Sequence, residues 1–189
     1  MVMEQSLVLL KPDSVQRSIS GKIITRFEDA GLKIVGMKMV WASDDLAQRH
    51  YQLDEVWAKN VYEKTSTVYQ KEGKKLPYKD HMEMGKTIQA WNMQFLREGP
   101  VIAIVLQGPH SVEIIRKMLG HTEPRQAMPG TIRGDFAVVE SYALADKKQR
   151  VTRNLVHASD TPENAKREIA LWFDNKDLHN YAKELDKHF

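Results

Sequence analysis

The chain has 189 residues, of which 42% are hydrophobic and 28% are charged, and these values are typical of a folded globular protein with one buried core. They exclude collagen-like, low-complexity and disordered classes. Lys and Arg number 28 against 25 Asp and Glu, so the formal net charge is only +3 and bulk charge does not indicate a nucleic acid partner. The absence of cysteine excludes disulfides, cysteine-based zinc sites and a thiol nucleophile.

The apolar stretches are too short for a membrane span. The longest purely apolar run is residues 101–106, whereas a transmembrane helix needs roughly 20 residues. Residues 1–5 begin no signal-peptide pattern. We therefore expect a cytoplasmic protein with no membrane association.

The first half of the chain predicts two strands and several helices. The apolar run 7–10, which ends before Pro12, predicts a buried strand. Helical spacing of apolar residues over 23–30 predicts a helix, and alternation over 32–41 predicts a second strand with a bulge at Gly36. A second helix is predicted from an N-cap at Ser43 to about Tyr51. Two more are predicted, one around Trp57, Val61 and Val68 and one around 88–95, and an exposed loop is predicted over 71–80.

The second half predicts two more strands. Residues 101–106 form the clearest strand, and a helix over 112–119 follows it. The stretch 121–134 predicts a long ordered loop, and 136–139 predicts a fourth strand. The last helix is predicted to begin at Pro162. This order of elements predicts the α+β class, with a four-stranded sheet and helices on one face.

His157 is the leading candidate for a catalytic group. In a chain without cysteine, a neutral imidazole on a loop before a capped helix is a suitable nucleophile, because its usual pKa is about 6.5. Glu168, eleven residues later, could accept a hydrogen bond from one ring nitrogen and leave the other free to attack. No histidines have the H-x-x-x-H or H-E-x-x-H spacing of a zinc site, so no protein-held metal is predicted.

Four separated motifs resemble those of the nucleoside diphosphate kinase family, in the family's order. Residues 154–160 resemble N-x-x-H-G-S-D, with Ala158 in place of the glycine. Residues 11–17 resemble K-P-D-G-V-Q-R, with Ser14 in place of the glycine, and 116–124 resemble R-x-M-L-G-x-T-x-P. Residues 129–136 match P-G-T-I-R-G-D-F. The two glycine replacements imply strain wherever the backbone requires a positive φ.

The resemblance implies a fold, an organisation and a reaction. The fold is a ferredoxin-like sandwich with an antiparallel sheet, formed by a single domain over 1–189. Insertions are expected at about 52–87 and 140–152, with a C-terminal tail at 174–189. The implied reaction is ping-pong: His157 takes the γ-phosphate of a nucleoside triphosphate such as ATP and passes it to a nucleoside diphosphate. Mg²⁺ is the implied cofactor, carried by the nucleotide phosphates.

The resemblance also implies roles for individual residues. Glu168 would orient His157, with Ser159 as its neighbour, and Lys11 would complete the catalytic group. The implied nucleotide contacts are Lys11, Arg116, Thr122 and Arg133 on phosphates, Lys11 and Asn154 on ribose hydroxyls, Tyr51 in the phosphate pocket, and Ile88 in the place of the phenylalanine on which the base stacks. Aliphatic contact at Ile88 would make binding depend less on base identity.

The resemblance implies a homo-oligomer, either a hexamer or a tetramer of dimers. The alternative function is a catalytically idle relative that acts as a nucleotide-binding scaffold or a nucleic-acid-binding module. RNA-recognition sheets carry stacking aromatics on their central strands, and the runs 7–10 and 101–106 have none. An idle relative would also be expected to lose the histidine or its cations. We therefore expect an enzyme and no nucleic acid partner.

Overall fold

The computed structural model describes residues 3–71, 73 and 75–184, apart from the side chains of residues 64, 68 and 71. Its strands form one antiparallel sheet in the order β2-β3-β1-β4. The strands are β1 (Met3–Leu10), β2 (Lys33–Val40), β3 (Val101–Pro109) and β4 (Val156–Ala158). The predicted α+β class and four-stranded antiparallel sheet are confirmed.

Helices fill most of the connections between the strands. Their bounds are α1 (Pro12–Gln16), α2 (Ser20–Asp29), α3 (Asp44–His50), α4 (Glu55–Lys71), α5 (His81–Leu96), α6 (Ser111–Leu119), α7 (Ile132–Phe136), α8 (Tyr142–Lys147) and α9 (Pro162–Trp172). Short 3-10 turns lie at Pro124–Gln126 and Asn175–Asp177. No helix of the described residues is long and apolar enough to cross a membrane.

Helices cover both faces of the sheet, not only the one face that the sequence predicted. On one face, Val8 and Leu10 of β1 pack with Phe27 of α2. On the other face, Leu7 and Leu9 join a second cluster that includes residues of α3, α5 and α9. The physical reason is the uninterrupted apolar run at 7–10: successive side chains point to opposite faces, so a run without polar residues needs cover on both.

The predicted fourth strand at 136–139 is wrong. Residues 132–136 form α7, whose first turn is capped by the Thr131 side chain accepting from the Gly134 amide. Phe136 and Ala137 pack against the core, but Val138 and Val139 are 53% and 94% exposed, so the second half of this apolar run has little cover in the described chain. The fourth strand is β4, which pairs with β1 and sets His157 opposite Leu9. A strand of three residues is too short to show a periodic signal in sequence.

The Gly36 bulge in β2 makes room for the C-terminal tail. The register between β2 and β3 shifts between Ile34 and Gly36. A Cβ on Gly36 would lie 2.8 Å from Leu178 Cδ2, so only glycine allows this approach. The backbone amide of His179 donates to the Val35 carbonyl at 2.7 Å. The tail therefore lies along the outer edge of the sheet.

The two predicted insertions contact each other. α4 and α5 of the first insertion pack together, and Tyr69 of α4 donates its hydroxyl to Asp146 of α8 at 2.6 Å. The helix predicted around Trp57, Val61 and Val68 corresponds to α4, although the side chain of Val68 lies outside the described part. The loop predicted over 71–80 separates α4 from α5, and residues 72 and 74 lie outside the described part.

Truncating Phe27 to alanine is expected to lower the free energy of unfolding by about 3 to 5 kcal/mol, because its ring is fully buried between α2 and the sheet. Urea denaturation of Phe27→Ala measures this loss. The matched control is Val139→Ala, an exposed apolar truncation that should change the free energy by less than about 0.5 kcal/mol. Equal effects of the two changes would contradict the assigned core.

Candidate active site

A hydrogen bond joins His157 on β4 to Glu168 on α9. Nε2 of His157 lies 3.1 Å from Oε2 of Glu168, and the Ser159 hydroxyl donates to the same oxygen at 2.6 Å. The Leu7 amide of β1 donates to the Ser159 hydroxyl, which fixes Ser159 to the sheet. Since an ionised carboxylate only accepts, Nε2 of His157 carries the ring proton and Nδ1 keeps its lone pair. The histidine is therefore arranged to react through Nδ1.

Glu168 is buried and still ionised at neutral pH. Burial raises its pKa, but the hydrogen bonds from His157 and Ser159 and the electrostatic interaction with the two imidazoles, His157 and His50, outweigh burial, so its pKa lies below the ordinary value. The negative charge is thus held within 3.1 Å of the ring of His157. It stabilises the positive charge that the imidazole gains when Nδ1 forms a bond.

Lys11 and Asn154 lie beside this pair. Nζ of Lys11 donates to Oδ1 of Asn154 at 2.8 Å, and Nδ2 of Asn154 donates to the Thr122 carbonyl at 2.9 Å. The pKa of Lys11 is lowered to about 8, mainly by burial; Asp13 opposes this shift, and Arg133 and Arg153 contribute to it. The structure thus brings together Lys11, Asn154 and the backbone of Thr122.

Arg133 is buried and bound to the chain around the histidine. Its guanidinium donates to the carbonyls of Asn154 at 3.1 Å, Gly120 at 2.9 Å and Val156 at 2.7 Å. A guanidinium has five N–H groups, so these bonds leave donors for a further ligand. Burial lowers the pKa of Arg133 to about 10, and the charge of Arg116 contributes. Arg116 itself is exposed on α6, within electrostatic range of Arg133.

The backbone next to the histidine is strained. Leu155 has φ of 69°, a left-handed conformation that a branched side chain rarely adopts. The Asp13 carboxylate accepts from the Leu155 amide at 3.1 Å, and the Leu155 carbonyl accepts from the Ser14 hydroxyl at 2.6 Å and the Lys11 amide at 2.8 Å. Ser14 is not in a positive-φ conformation, and neither is Ala158, so the strain expected at these two glycine replacements does not occur.

Tyr51 and His50, at the end of α3, form one side of the candidate site. The Tyr51 ring lies 4.6 Å from the His50 ring. Burial raises the pKa of Tyr51, and the carboxylates of Glu168 and Asp13 raise it further, which keeps the phenol protonated. His50 is buried with its ring 4.5 Å from that of His157. Sequence reasoning missed His50, which belongs to none of the four motifs and shows no metal-ligand spacing.

Ile88 lies half-buried on α5. Thr87 and Trp91 of the same helix line a cavity of about 720 Å³ between the two predicted insertions, and Ile88 is not among its lining residues. The opposite wall includes Glu123 and Tyr142. Among the described residues, Ile88 makes no contact with His157. It is therefore not placed beside the histidine as the other predicted site residues are.

One cluster of the described residues could in principle hold a metal ion. Ligand atoms of His50, His157 and Glu168 lie within 4.8 Å of one another. However, the Trp172 indole donates to Nδ1 of His50 at 3.3 Å, so the proton of His50 sits on Nε2, where a metal would have to bind. Glu168 is occupied by two donors, and the other charged side chains nearby are mainly cations. These residues do not fit a resident metal.

The geometry defines a class of protein. A histidine with a free Nδ1 is held by a buried carboxylate, and the buried Lys11 and Arg133 side chains are hydrogen-bonded to the neighbouring residues of its segment, Asn154 and Val156. Such a site suits attack on a group surrounded by negative charge, which is the chemistry of phosphoryl transfer. The geometry therefore suits the class of phosphotransferases.

Comparison with known proteins agrees with this class. The family model for nucleoside diphosphate kinase matches residues 4–178, and the chain belongs to this family. A nucleoside diphosphate kinase of Pyrobaculum aerophilum is 43% identical over 182 residues, covering 94% of this chain and 99% of the relative. One of Pyrococcus horikoshii is 38% identical over 183 residues, covering 97% and 93%.

Solved structures extend the agreement to three dimensions. A crystal structure of an NDP kinase from Pyrobaculum aerophilum has a TM-score of 0.90 at 41% identity, covering 95% of this chain and all of that one. A Borrelia burgdorferi nucleoside diphosphate kinase with bound vanadate and ADP has a TM-score of 0.79 at 31% identity, covering 100% and 97%. The predicted family, fold and enzyme class are confirmed.

The kcat/KM of the enzyme is expected to fall as pH rises above about 8. The pKa of Lys11 is about 8, so its charge is present below this pH and lost above it, and a nucleotide polyphosphate binds the charged form. Initial rates between pH 6.5 and 9.5 measure this fall. Lys11→Arg is the control, because arginine stays charged throughout this range and should abolish the descending limb even if its absolute rate is lower. An identical descending limb in both proteins would contradict this assignment.

Proposed function

We propose that this chain transfers the γ-phosphate of ATP to a nucleoside diphosphate by a ping-pong mechanism, with a phosphohistidine on His157. The observation that carries the proposal is the hydrogen bond of His157 Nε2 to the buried Glu168, which leaves the Nδ1 lone pair free. The ADP and vanadate bound to the Borrelia burgdorferi relative support nucleotides as the substrate class.

Each half-reaction exchanges one bond to phosphorus. Nδ1 of His157 attacks the γ-phosphorus, the bond from that phosphorus to the bridging oxygen breaks, and nucleoside diphosphate leaves with both electrons of the bond. Glu168 balances the positive charge on the phosphorylated ring. In the second half, a terminal oxygen of the acceptor diphosphate attacks the same phosphorus and the Nδ1 lone pair is restored.

The cations around His157 supply the electrostatic stabilisation that this transfer requires. Lys11, Arg133 and Arg116 would bind phosphate oxygens, together with Thr122, and Mg²⁺ would enter on the nucleotide phosphates as part of the substrate. The remaining N–H groups of Arg133 support its role, since three carbonyls leave two donors unused. Lys11 and Asn154 would reach the ribose hydroxyls, with Ser159 supporting Glu168 and Tyr51 lining the phosphate pocket.

The base would lie toward the insertions. Ile88 is proposed to contact it from α5, and the cavity beside Thr87 and Trp91 gives this end of the site room for bases of different size. Weak base discrimination is consistent with aliphatic contact. We further propose a single domain over residues 1–189, whose insertions at about 52–87 and 140–152 and tail at 174–189 surround the common core.

We also propose a homo-oligomer, based on the exposed surface of the edge strand β2. Met37, Met39 and the adjacent Trp41 are each more than half exposed, although large apolar side chains grouped on a sheet edge are normally covered. A second copy of the chain would cover them. Assembly as a hexamer or as a tetramer of dimers stays a prediction, and so does a cytoplasmic location.

Incubation with γ-labelled ATP and Mg²⁺ in the absence of acceptor is expected to put an acid-labile, alkali-stable label on His157. Subsequent addition of GDP should move the label into GTP. His157→Gln should take up no label and still bind nucleotide, which equilibrium dialysis measures, because glutamine removes the nucleophile and keeps a polar side chain. Label on the Gln variant would place the nucleophile elsewhere.

The idle-relative alternative gives a different result in the same experiment. A nucleotide-binding scaffold would retain ADP in dialysis and show no label on the wild-type chain. That outcome would overturn the proposed reaction without changing the family.

Met39→Glu is expected to lower the mass of the assembly, because a buried charge at an interface without a partner is strongly unfavourable. Light scattering at micromolar concentration measures the mass. Val139→Glu is the control, since Val139 is highly exposed on a segment away from the sheet edge. Unchanged mass for Met39→Glu, or loss of assembly in both variants, would contradict the β2 edge as the contact.

A further inference from the structure

His50 is a buried polar side chain that the proposed phosphoryl transfer does not use. It lies at the end of α3 and is 4% exposed, and its Nε2 has no hydrogen-bond partner. Burying a donor without a partner is unfavourable, so an apolar residue would be expected here unless the imidazole has a specific role. Its surroundings indicate that role.

Trp172 fixes the tautomer of His50. The indole Nε1 donates to Nδ1 of His50 at 3.3 Å, and an indole nitrogen can only donate. Nδ1 of His50 is therefore unprotonated and the proton is on Nε2. Burial lowers the pKa of His50 well below the ordinary value, and His157, Arg167 and Lys11 lower it further, with Glu168 opposing them. The ring is thus a neutral group with one defined orientation.

The His50 ring packs edge-on against the ring of His157. The centroids are 4.5 Å apart and the planes meet at 83°. The hydrogen bond to Glu168 holds only Nε2 of His157, and the ring could still turn about that contact. A perpendicular ring at van der Waals distance blocks this rotation and so sets the direction of the Nδ1 lone pair.

Both restraints on His157 originate from one helix. Glu168 and Trp172 are four residues apart on α9, so their side chains lie on the same face. Glu168 holds the ring nitrogen directly, and Trp172 acts through His50. The register of α9 against β4 therefore determines both the position and the plane of the imidazole.

We propose that His50 is a positioning residue for the nucleophile: its ring, oriented by the Trp172 indole, fixes the plane of His157 and the direction of Nδ1. The proposal rests on His157 as the group that is phosphorylated. It predicts a larger effect on the chemical step than on nucleotide binding, because the His50 ring contacts the ring of the nucleophile directly and adjoins the proposed phosphate pocket through Tyr51.

The kinetic test is a double-mutant cycle. His50→Ala should lower the single-turnover rate of His157 phosphorylation by about 10- to 100-fold, with an ATP dissociation constant within about 3-fold of wild type, since misaligned reactants lose rates of this order. Trp172→Phe, which keeps a ring and removes the N–H, should lower the rate by a smaller factor. The double variant should be no slower than His50→Ala, because Trp172 acts only through His50.

Two outcomes of the cycle would overturn the proposal. One is a wild-type rate in His50→Ala, and the other is multiplication of the two single effects in the double variant. Phe173→Leu is the matched control for general loss of packing, since Phe173 is a buried neighbour of Trp172 that faces Gly36 and Lys38. It should lower the free energy of unfolding and leave the phosphorylation rate unchanged.

A second measurement does not depend on catalysis. Long-range ¹H–¹⁵N correlation spectra distinguish the tautomers of a neutral imidazole. At pH 7, His50 of the wild-type chain should show an unprotonated Nδ1 and a protonated Nε2, and Trp172→Phe should show a mixture of tautomers. A proton on Nδ1 in the wild type would overturn the proposal. Failure of the proposed function would instead appear as a wild-type chain that takes up no label while His50 shows the expected tautomer.

Discussion

His157, the proposed nucleophile, lies on the shortest strand of the sheet, and the site depends on what holds that strand in place. β4 has three residues and, among the described strands, pairs with β1 alone, so few backbone hydrogen bonds fix it. Arg133 provides the missing support, since one buried guanidinium binds carbonyls at Gly120, Asn154 and Val156. These hydrogen bonds lie along the edge of β4 where a further strand would otherwise pair. They also explain how the strained Leu155 conformation can persist between Asn154 and His157, since its neighbours on both sides are tied.

The same cations that hold the site together repel each other. Burial is the main cause of the lowered pKa values of Arg133 and Lys11, but Arg116 also lowers the pKa of Arg133 and Arg133 lowers that of Lys11, and the nearby Asp13 opposes both effects only in part. A polyphosphate would relieve this repulsion. Because a ligand that binds only the folded state stabilises it, a nucleotide bound beside these cations would stabilise the folded chain and offset their repulsion.

The sequence predicted most of the fold and nearly all of the residues that meet at the site, for different reasons. Periodicity identified β1, β2, β3 and the helices that flank them, since these elements are long and half or fully buried. It failed for β4, which is too short, and at residues 136–139, where Val139 is apolar and exposed. The motifs supplied Lys11, Arg133 and His157 because their spacing is specific. His50 carries no such signal: only folding brings the end of α3 against β4.

The first proposed insertion, at about 52–87, ends before the last turn of α5, which is the part of that helix that contacts the site. Tyr69 and Asp146 join the two insertions to each other at a distance from the histidine. The last turn of α5, by contrast, places the buried Phe95 ring 5.4 Å from Nζ of Lys11 and 4.2 Å from the Arg153 guanidinium. This ring gives both cations an apolar, weakly attractive surface in a region with little water. Residues can therefore be inserted in α4 and at the start of α5 without moving Phe95 relative to β1. For this reason the sequence motifs before and after the first insertion are still recognisable.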